Sequence, residues 1–328
     1  MIAHVLRAGP LASVQDLGRF GHRAFGVGSG GALDPFAARI ANLLVGNEEA
    51  GALIEITLGN FRIRFADERV IAWCGGDFQV QIGQEMIPAG HGFLARAGDE
   101  LLANAPQAGC RMWLAISGGV DIPAVLGSRS TDLRAGFGGL DGRALRDGDD
   151  LPLREASEIN RARAKILRAR HLSAWSAQRE WTSPAARYPI LRVVRGVDWN
   201  RFDASTHRAL TTEKFIVTPE ADRMGVRLDA KELKRKDSGD LLSEAVAPGT
   251  IQVPPNGKPI LLLGDCQTIG GYPKIAHVIT VDLPIAAQLR TGDEVQFQET
   301  STGEAHSLLL QREGDLDRFR IGLHLRTS

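Results

Sequence analysis

The chain has 328 residues, 43% hydrophobic and 24% charged, an ordinary composition for a folded protein of about two domains at roughly 150 residues each. Its 39 lysines and arginines balance 39 aspartates and glutamates, which sets aside a dedicated nucleic-acid binder, because phosphate contact calls for a basic excess. No window approaches about 18 uninterrupted apolar residues, and no charged n-region leads into an apolar stretch at the start, so neither a membrane span nor a signal peptide is expected and the chain reads as cytoplasmic.

Residues 1–150 hold short strand-like runs punctuated by glycine: Arg62–Phe65, Val70–Cys74, Phe78–Ile82 and Met112–Ser117. Their spacing suggests a barrel or sandwich rather than alternating strand-helix units. One helix stands out over Phe36–Val45. Asp34 is placed to cap it, Pro35 opens it, and Gly46-Asn47 ends it. Residues 154–188 are Arg- and Ala-rich and read as a solvated surface connector with helical turns. From Tyr188 the strand pattern returns, in Ile190–Arg195, Lys214–Thr218, Thr250–Val253, Pro259–Leu263 and Val278–Leu283. The expected organisation is therefore a first subdomain over 1–153, a connector over 154–188 and a second subdomain over 189–328.

The halves resemble each other weakly. Glu55, Asp77 and Asp99 stand in local patterns matched around Glu244, Asp265 and Asp293, at offsets of 189, 188 and 194 residues. Three motifs in one order argue for a duplicated domain. Two similar barrels would offer a cleft for a small molecule.

Several motifs fail on context. Gly26–Gly31 fits G-x-G-x-x-G, but no apolar strand precedes it, so a flexible turn outweighs dinucleotide binding, with an anion cradle at the following helix left open. Gly257-Lys258 lacks the Walker A spacing. No G-x-S-x-G surrounds Ser29 or Ser117. The eight histidines are scattered and the three cysteines form no C-x-x-C pair, so no metal site is expected. The thiols read as small buried hydrophobes in a reduced compartment.

Three segments concentrate polar groups beyond what a plain barrel needs. They are Ser13–Arg19 leading into Ser29–Asp34, Ser117–Pro123 followed by Leu126–Arg134, and Ser243-Glu244 with Gln252–Pro255 and Gly264–Lys274. The VQDLGR, GSRSTDLR and DCQTIGGYPK stretches resemble, over about Leu11 to Phe297, the biotin-dependent carboxyltransferase and allophanate hydrolase subunit 2 family. That family includes half of the carboxyltransferase domain of urea carboxylase, the C-type subunit of bacterial 5-oxoprolinase and the Kip-type antagonist of a kinase inhibitor. One departure is the extra small residue in Ser29–Asp34, where the family reads S-G-A-x-D.

The resemblance implies a mainly β fold of two cyclophilin-like β-barrel subdomains with a few short helices. It implies a partner, a cyclophilin-like B-type subunit similar to subunit 1 of allophanate hydrolase. The first reading it suggests is a C-type subunit acting with A- and B-type subunits to cleave 5-oxoproline to glutamate with ATP. The alternatives are carboxyl transfer from carboxybiotin to urea or another small amide, and a non-catalytic antagonist that binds its partner subunit. Within that frame Gln15, Gln252 and Gln267 offer donors and acceptors to a planar amide. Arg19, Arg129, Arg223 and Lys274 offer charge to a carboxylate, phosphate or carboxybiotin oxygen. Asp34, Glu244 and Asp265 are candidates to move a proton, and Tyr272 to stack on a flat substrate. Asp265, Glu244 and Lys274 are the candidate catalytic set; the other eight are candidate substrate contacts. Each has a framework rival: Asp34 as helix cap, Gln15 as turn former, Glu244 as the repeat of Glu55.

Overall fold

In the computed structural model, which describes residues 1–182, 189–236, 239 and 241–327, the chain divides into two units. The first comprises Met1–Arg19, Gly30–Ala185 and Asp315–Ser328. Its strands in chain order are β1 (Ile2–Arg7), β2 (Leu11–Gln15), β3 (Leu53–Thr57), β4 (Phe61–Phe65), β5 (Arg69–Gly75), β6 (Val80–Ile82), β7 (Glu85–Met86), β8 (His91–Ala95), β9 (Glu100–Ala103), β10 (Arg111–Ile116), β11 (Asp150–Pro152) and β12 (Leu172–Ser176). They form two six-stranded antiparallel sheets, ordered β11-β1-β4-β9-β6-β7 and β12-β8-β5-β10-β3-β2. Val5, Ile63 and Phe65 of one sheet and Ile54, Trp73 and Leu114 of the other enter one buried cluster, so the sheets face each other across a shared core.

The sequence of each strand reports what covers it. FRIRF of β4 alternates buried and exposed, the signature of a sheet with one wet face. RVIAWCG of β5 and RMWLAI of β10 are buried throughout. Their outer faces lie under helix α1 (Pro35–Val45), which turns Phe36, Ile40 and Leu44 inward. Asp34 caps α1 by accepting from Ala37 N at 2.8 Å, and Gly46 ends it at φ 85°, both as the sequence indicates.

The Arg- and Ala-rich stretch is a packed part of this unit, not a solvated connector. Ser157 and Asn160 close a capping box on helix α2 (Glu158–Leu167). The Asn160 amide also donates to Val45 O at 2.7 Å. α2 lies against β5 and β8, and β12 extends the sheet beside β8. A four-residue helix, α3 (Arg179–Thr182), follows. Residues 183–188, the end of the expected connector, lie outside the described residues.

The second unit comprises Phe20–Ser29 and Ala186–Gly314. It holds β13 (Ile190–Arg195), α4 (Ala204–Thr212), β14 (Phe215–Val217), β15 (Gly225–Asp229), β16 (Glu244–Ala245), β17 (Thr250–Gln252), β18 (Ile260–Leu262), β19 (Ile269–Gly270), β20 (Lys274–Val278), α5 (Leu283–Ala286) and β21 (Glu294–Glu299). Seven strands close a barrel in the order β13-β20-β17-β18-β15-β14-β21. The seam is the parallel pair β13–β21, in which Ile190 faces Gln296. Phe215 and Phe297 meet inside, ring centres 5.1 Å apart. β16 and β19 pair as a separate small ladder.

One strand expectation is corrected. Strand β20 ends at Val278 instead of a strand running from Val278 to Leu283. There the chain turns so that the Asp282 carboxylate accepts from the backbone and the guanidinium of Arg192, at 2.8, 2.9 and 2.6 Å. Beside the short helices stands a long one: α6 runs over 26 residues, Thr302–Thr327, and buries Leu316 and Leu323.

The internal resemblance has a structural counterpart. β1 and β13 share one burial pattern along IAHVLR and ILRVVR. The matched R-x-G-D stretches form the same turn. Asp99 and Asp293 each accept from the backbone N of Arg96 or Arg290 at 2.7 Å. Gly98 and Gly292 both sit at φ 88° and donate to a strand carbonyl, Phe65 or Val217. A third copy, Arg146–Asp149, repeats every one of these bonds against Val5. These aspartates are turn formers, and the glycine is required because the left-handed backbone strains any side chain.

Candidate functional site

In the first unit, the VQDLGR and GSRSTDLR stretches fold onto each other. The Asp16 carboxylate accepts from Ser128 Oγ and Ser130 Oγ, both at 2.6 Å, from Arg129 N at 2.6 Å and from Gly18 N at 2.8 Å. Gln15 is fully buried and donates to Ser13 Oγ at 3.0 Å and Thr131 O at 3.3 Å. Arg19, also buried, donates to Ser130 O and lies over the Phe137 ring at 4.7 Å. Gly138 presses on the same carbonyl, where a Cβ would collide with Ser130 O and Arg19. Asp34 is the α1 cap. The geometry thus gives Gln15, Arg19 and Asp34 framework contacts.

Arg129 differs. Its backbone is tied to Asp16, but its side chain turns away. The guanidinium donates to Ile122 O at 2.8 Å and lines a cavity of about 800 Å³ built within this unit.

In the second unit, the remaining seven candidates fall into three contacts and an aromatic wall. Arg223 grips Asp265 with both arms of its fork, Nε to Oδ2 at 2.8 Å and a terminal nitrogen to Oδ1 at 3.0 Å. Both side chains are nearly buried, at 4% and 11% exposure. Lys274, 5% exposed, donates from Nζ to Glu244 Oε2 at 2.9 Å, while Glu244 is 64% exposed. Gln267 donates weakly to Gln252 Oε1 at 3.4 Å. Gln252 is buried, and its Nε2 has no hydrogen-bond partner. Gly270 leaves room for that amide, since a Cβ there would stand 2.7 Å from Nε2. Tyr272 is 45% exposed and lines a cavity of about 520 Å³ with Pro254, Pro255, Gly271, Lys234 and Arg235.

Sequence reading missed Asp198. Its carboxylate accepts from Lys274 N at 2.9 Å and stands 3.7 Å from Lys274 Nζ, so the lysine lies between a fixed acid and an exposed one. Nothing in Gly196-Val197-Asp198-Trp199 marks that role, which arises because residues 196–198 bond back to strand β20. Arg23 was also missed. It donates to Val246 O, and although burial pushes the Cys266 thiol above its ordinary pKa, the charge of Arg23 acts to lower it.

This electrostatic arrangement limits the chemistry. Arg223 is committed to Asp265, so the pair is a rigid carboxylate whose orientation is set by its partner. Lys274 is different because it is itself buried while one of its two acids, Glu244, is solvated. If Glu244 swings aside, a buried ammonium is left facing whatever replaces it. Gln252, the cross-strand partner of Lys274 between β17 and β20, carries an unspent donor. The set suits holding a planar amide and stabilising an oxygen that gains negative charge.

Cys74, Cys110 and Cys266 are free and buried. Among the described residues no group of His, Cys, Asp or Glu is arranged to hold a metal ion, and no helix is long and apolar enough to cross a membrane.

A family model described as the carboxyltransferase domain, subdomain A and B, matches residues 25–299. The C-type subunit of the 5-oxoprolinase of Escherichia coli K12 is 38% identical over 301 residues, 92% of either chain. That of Haemophilus influenzae is 35% identical over 309 residues, 94% of either chain. Among solved structures, the urea amidolyase of K. lactis shares the fold with a TM-score of 0.88 at 28% identity, over 97% of this chain and 20% of that one.

Proposed function

This chain belongs to the carboxyltransferase-domain family of subdomains A and B, and on that footing we propose that it is the C-type subunit of an ATP-dependent 5-oxoprolinase. The observation that carries this reading is correspondence along nearly the whole length of two relatives bearing that name. The likeness to urea amidolyase supports the carboxyl-transfer alternative less, since it spans one fifth of that protein at lower identity.

In this reading the chain works with A- and B-type subunits. ATP passes its γ-phosphoryl group to the lactam oxygen and leaves as ADP; one water opens the C–N bond and a second releases the phosphate, which yields glutamate and inorganic phosphate. The second unit supplies the contacts. Gln252 and Gln267 hold the planar lactam by its C=O and N–H. Lys274, released from Glu244, faces the oxygen that accumulates charge. Asp265, aligned by Arg223, accepts a proton. Tyr272 and the basic Lys234 and Arg235 line the approach, a surface suited to a flat ring and an anionic tail. The residues fit ATP only in part: Arg223 is taken by Asp265, and no phosphate loop is present, so the nucleotide must draw on other subunits as well.

The test is reconstitution with A- and B-type subunits and measurement of glutamate formed from 5-oxoproline and ATP, omitting each subunit in turn. Turnover only with the full set supports the reading. In the reconstituted enzyme, Lys274→Met is expected to lower kcat at least 100-fold with the complex intact by gel filtration, and Glu244→Gln less than about 5-fold. An intact complex that makes no glutamate but carboxylates urea from carboxybiotin would replace this reading with the alternative. An intact complex that does neither would favour the antagonist.

A further inference from the structure

The 800 Å³ cavity of the first unit belongs to none of the contacts used above, and its charges do not balance. Its wall carries Arg129, Arg154, Arg163 and Arg320. Two of these are accounted for by acids. Arg154 pairs with Asp121 at 3.0 Å, and Arg320 with Asp317 at 2.7 Å and Glu49 at 3.3 Å.

Arg129 and Arg163 are not. Among the described residues neither guanidinium has a carboxylate within 4 Å, and both donate only to backbone carbonyls. Arg129 donates to Ile122 O. Arg163 donates to Leu43 O, near the C-terminal end of α1. Arg163 is 4% exposed, and its Nε is buried with no hydrogen-bond partner. Burial alone pulls this guanidinium down to about 10, the behaviour of a cation without a compensating anion. The negative end of α1 offsets about half a charge. Glu48 and Glu155 also stand on the wall but are not buried, and neither reaches the two arginines.

A buried, uncompensated guanidinium is costly unless something neutralises it. The cavity is of the size that takes small metabolites. We propose that it is a binding site for a small oxyanion, a carboxylate- or phosphate-bearing metabolite, held between Arg129 and Arg163 with α6 forming one wall. α6 lies beyond residue 299, where the family match ends.

The experiment is calorimetric titration of the full chain with inorganic phosphate and, separately, glutarate, at low and high sodium chloride. Saturable one-to-one binding that weakens with salt is expected. Binding of phosphate alone, glutarate alone or both supports an oxyanion site and identifies its source. Arg129→Gln should weaken binding at least 10-fold, and Arg320→Gln, whose cation has its own acids, no more than about 3-fold. Should Arg129→Gln not fold, Ala50→Glu keeps the question open to test. It puts a carboxylate on an exposed stretch of the wall and should abolish binding in a protein of unchanged melting temperature. No binding by the unmodified chain, or equal binding by Arg129→Gln or Ala50→Glu, overturns the proposal.

Discussion

Asp16 binds two separated stretches of sequence into one knot, because its two oxygens answer two hydroxyls and two backbone amides. Removing it leaves those donors buried without an acceptor, at about 1–3 kcal/mol for each that water cannot reach. Asp16→Ala should therefore cost at least about 3 kcal/mol, and Asp16→Asn, which keeps one acceptor, distinctly less; urea unfolding of the two variants measures the difference. His277 offers a pH test. Burial, and then Lys274, hold its imidazole below the ordinary range. The folded state keeps it neutral while the unfolded chain takes up a proton below about pH 6.5, so this residue removes stability as pH falls from there. His277→Gln should show a flatter loss of stability between about pH 7 and 5 than the unmodified chain; parallel curves would contradict the assignment. At this scale the sequence was legible where local chemistry decides, as at the Asp34 cap. It was silent on Asp198 and Arg163, whose roles depend on what distant backbone brings to them.

The R-x-G-D turn shows what an element can reveal. Two copies were visible because other matched motifs flank them in order, while the third, Arg146–Asp149, has no flanking match and emerges only from its hydrogen bonds to Val5. The third is also the reinforced one. Arg143 holds both oxygens of Asp149 at 2.8 and 2.9 Å and keeps its carboxyl below the usual range. Replacing Asp99 or Asp293 by Ala should cost about 1 kcal/mol, and replacing Asp149 clearly more, read as melting temperatures of the three variants. Helix α6 was hidden by charges on every side and by Gly314 and Gly322 in its interior. The signal was the spacing of Leu316, Phe319 and Leu323. Leu316→Ala should cost about 2–4 kcal/mol by the usual measure for a buried leucine, and denaturant unfolding checks it.

For the whole molecule, the mainly β architecture was legible because short alternating strands and glycine turns leave little else to build. The division of the chain was not. Residues 20–29 fall with the second unit and 315–328 with the first, an arrangement set by contacts that no local composition announces. The Arg- and Ala-rich stretch misled for a related reason: its arginines suggested solvent, yet Arg163 is among the most buried cations of the first unit. Balanced composition also conceals imbalance in place. The net charge is zero, while one cavity holds two arginines with no acid of their own.

The part of α6 that completes the first unit, residues 315–327, is encoded after the whole of the second. A ribosome adding about 5–20 residues per second releases residues 315–327 on the order of ten seconds after the rest of that unit has emerged. During that interval the cavity lacks the wall that Arg320 and Leu323 supply, and by its end the barrel encoded in the meantime has all its strands. The unit whose strands are made first is thus the last to be finished, and a chain stalled or cut near residue 314 would carry its damage far along the message from the lesion.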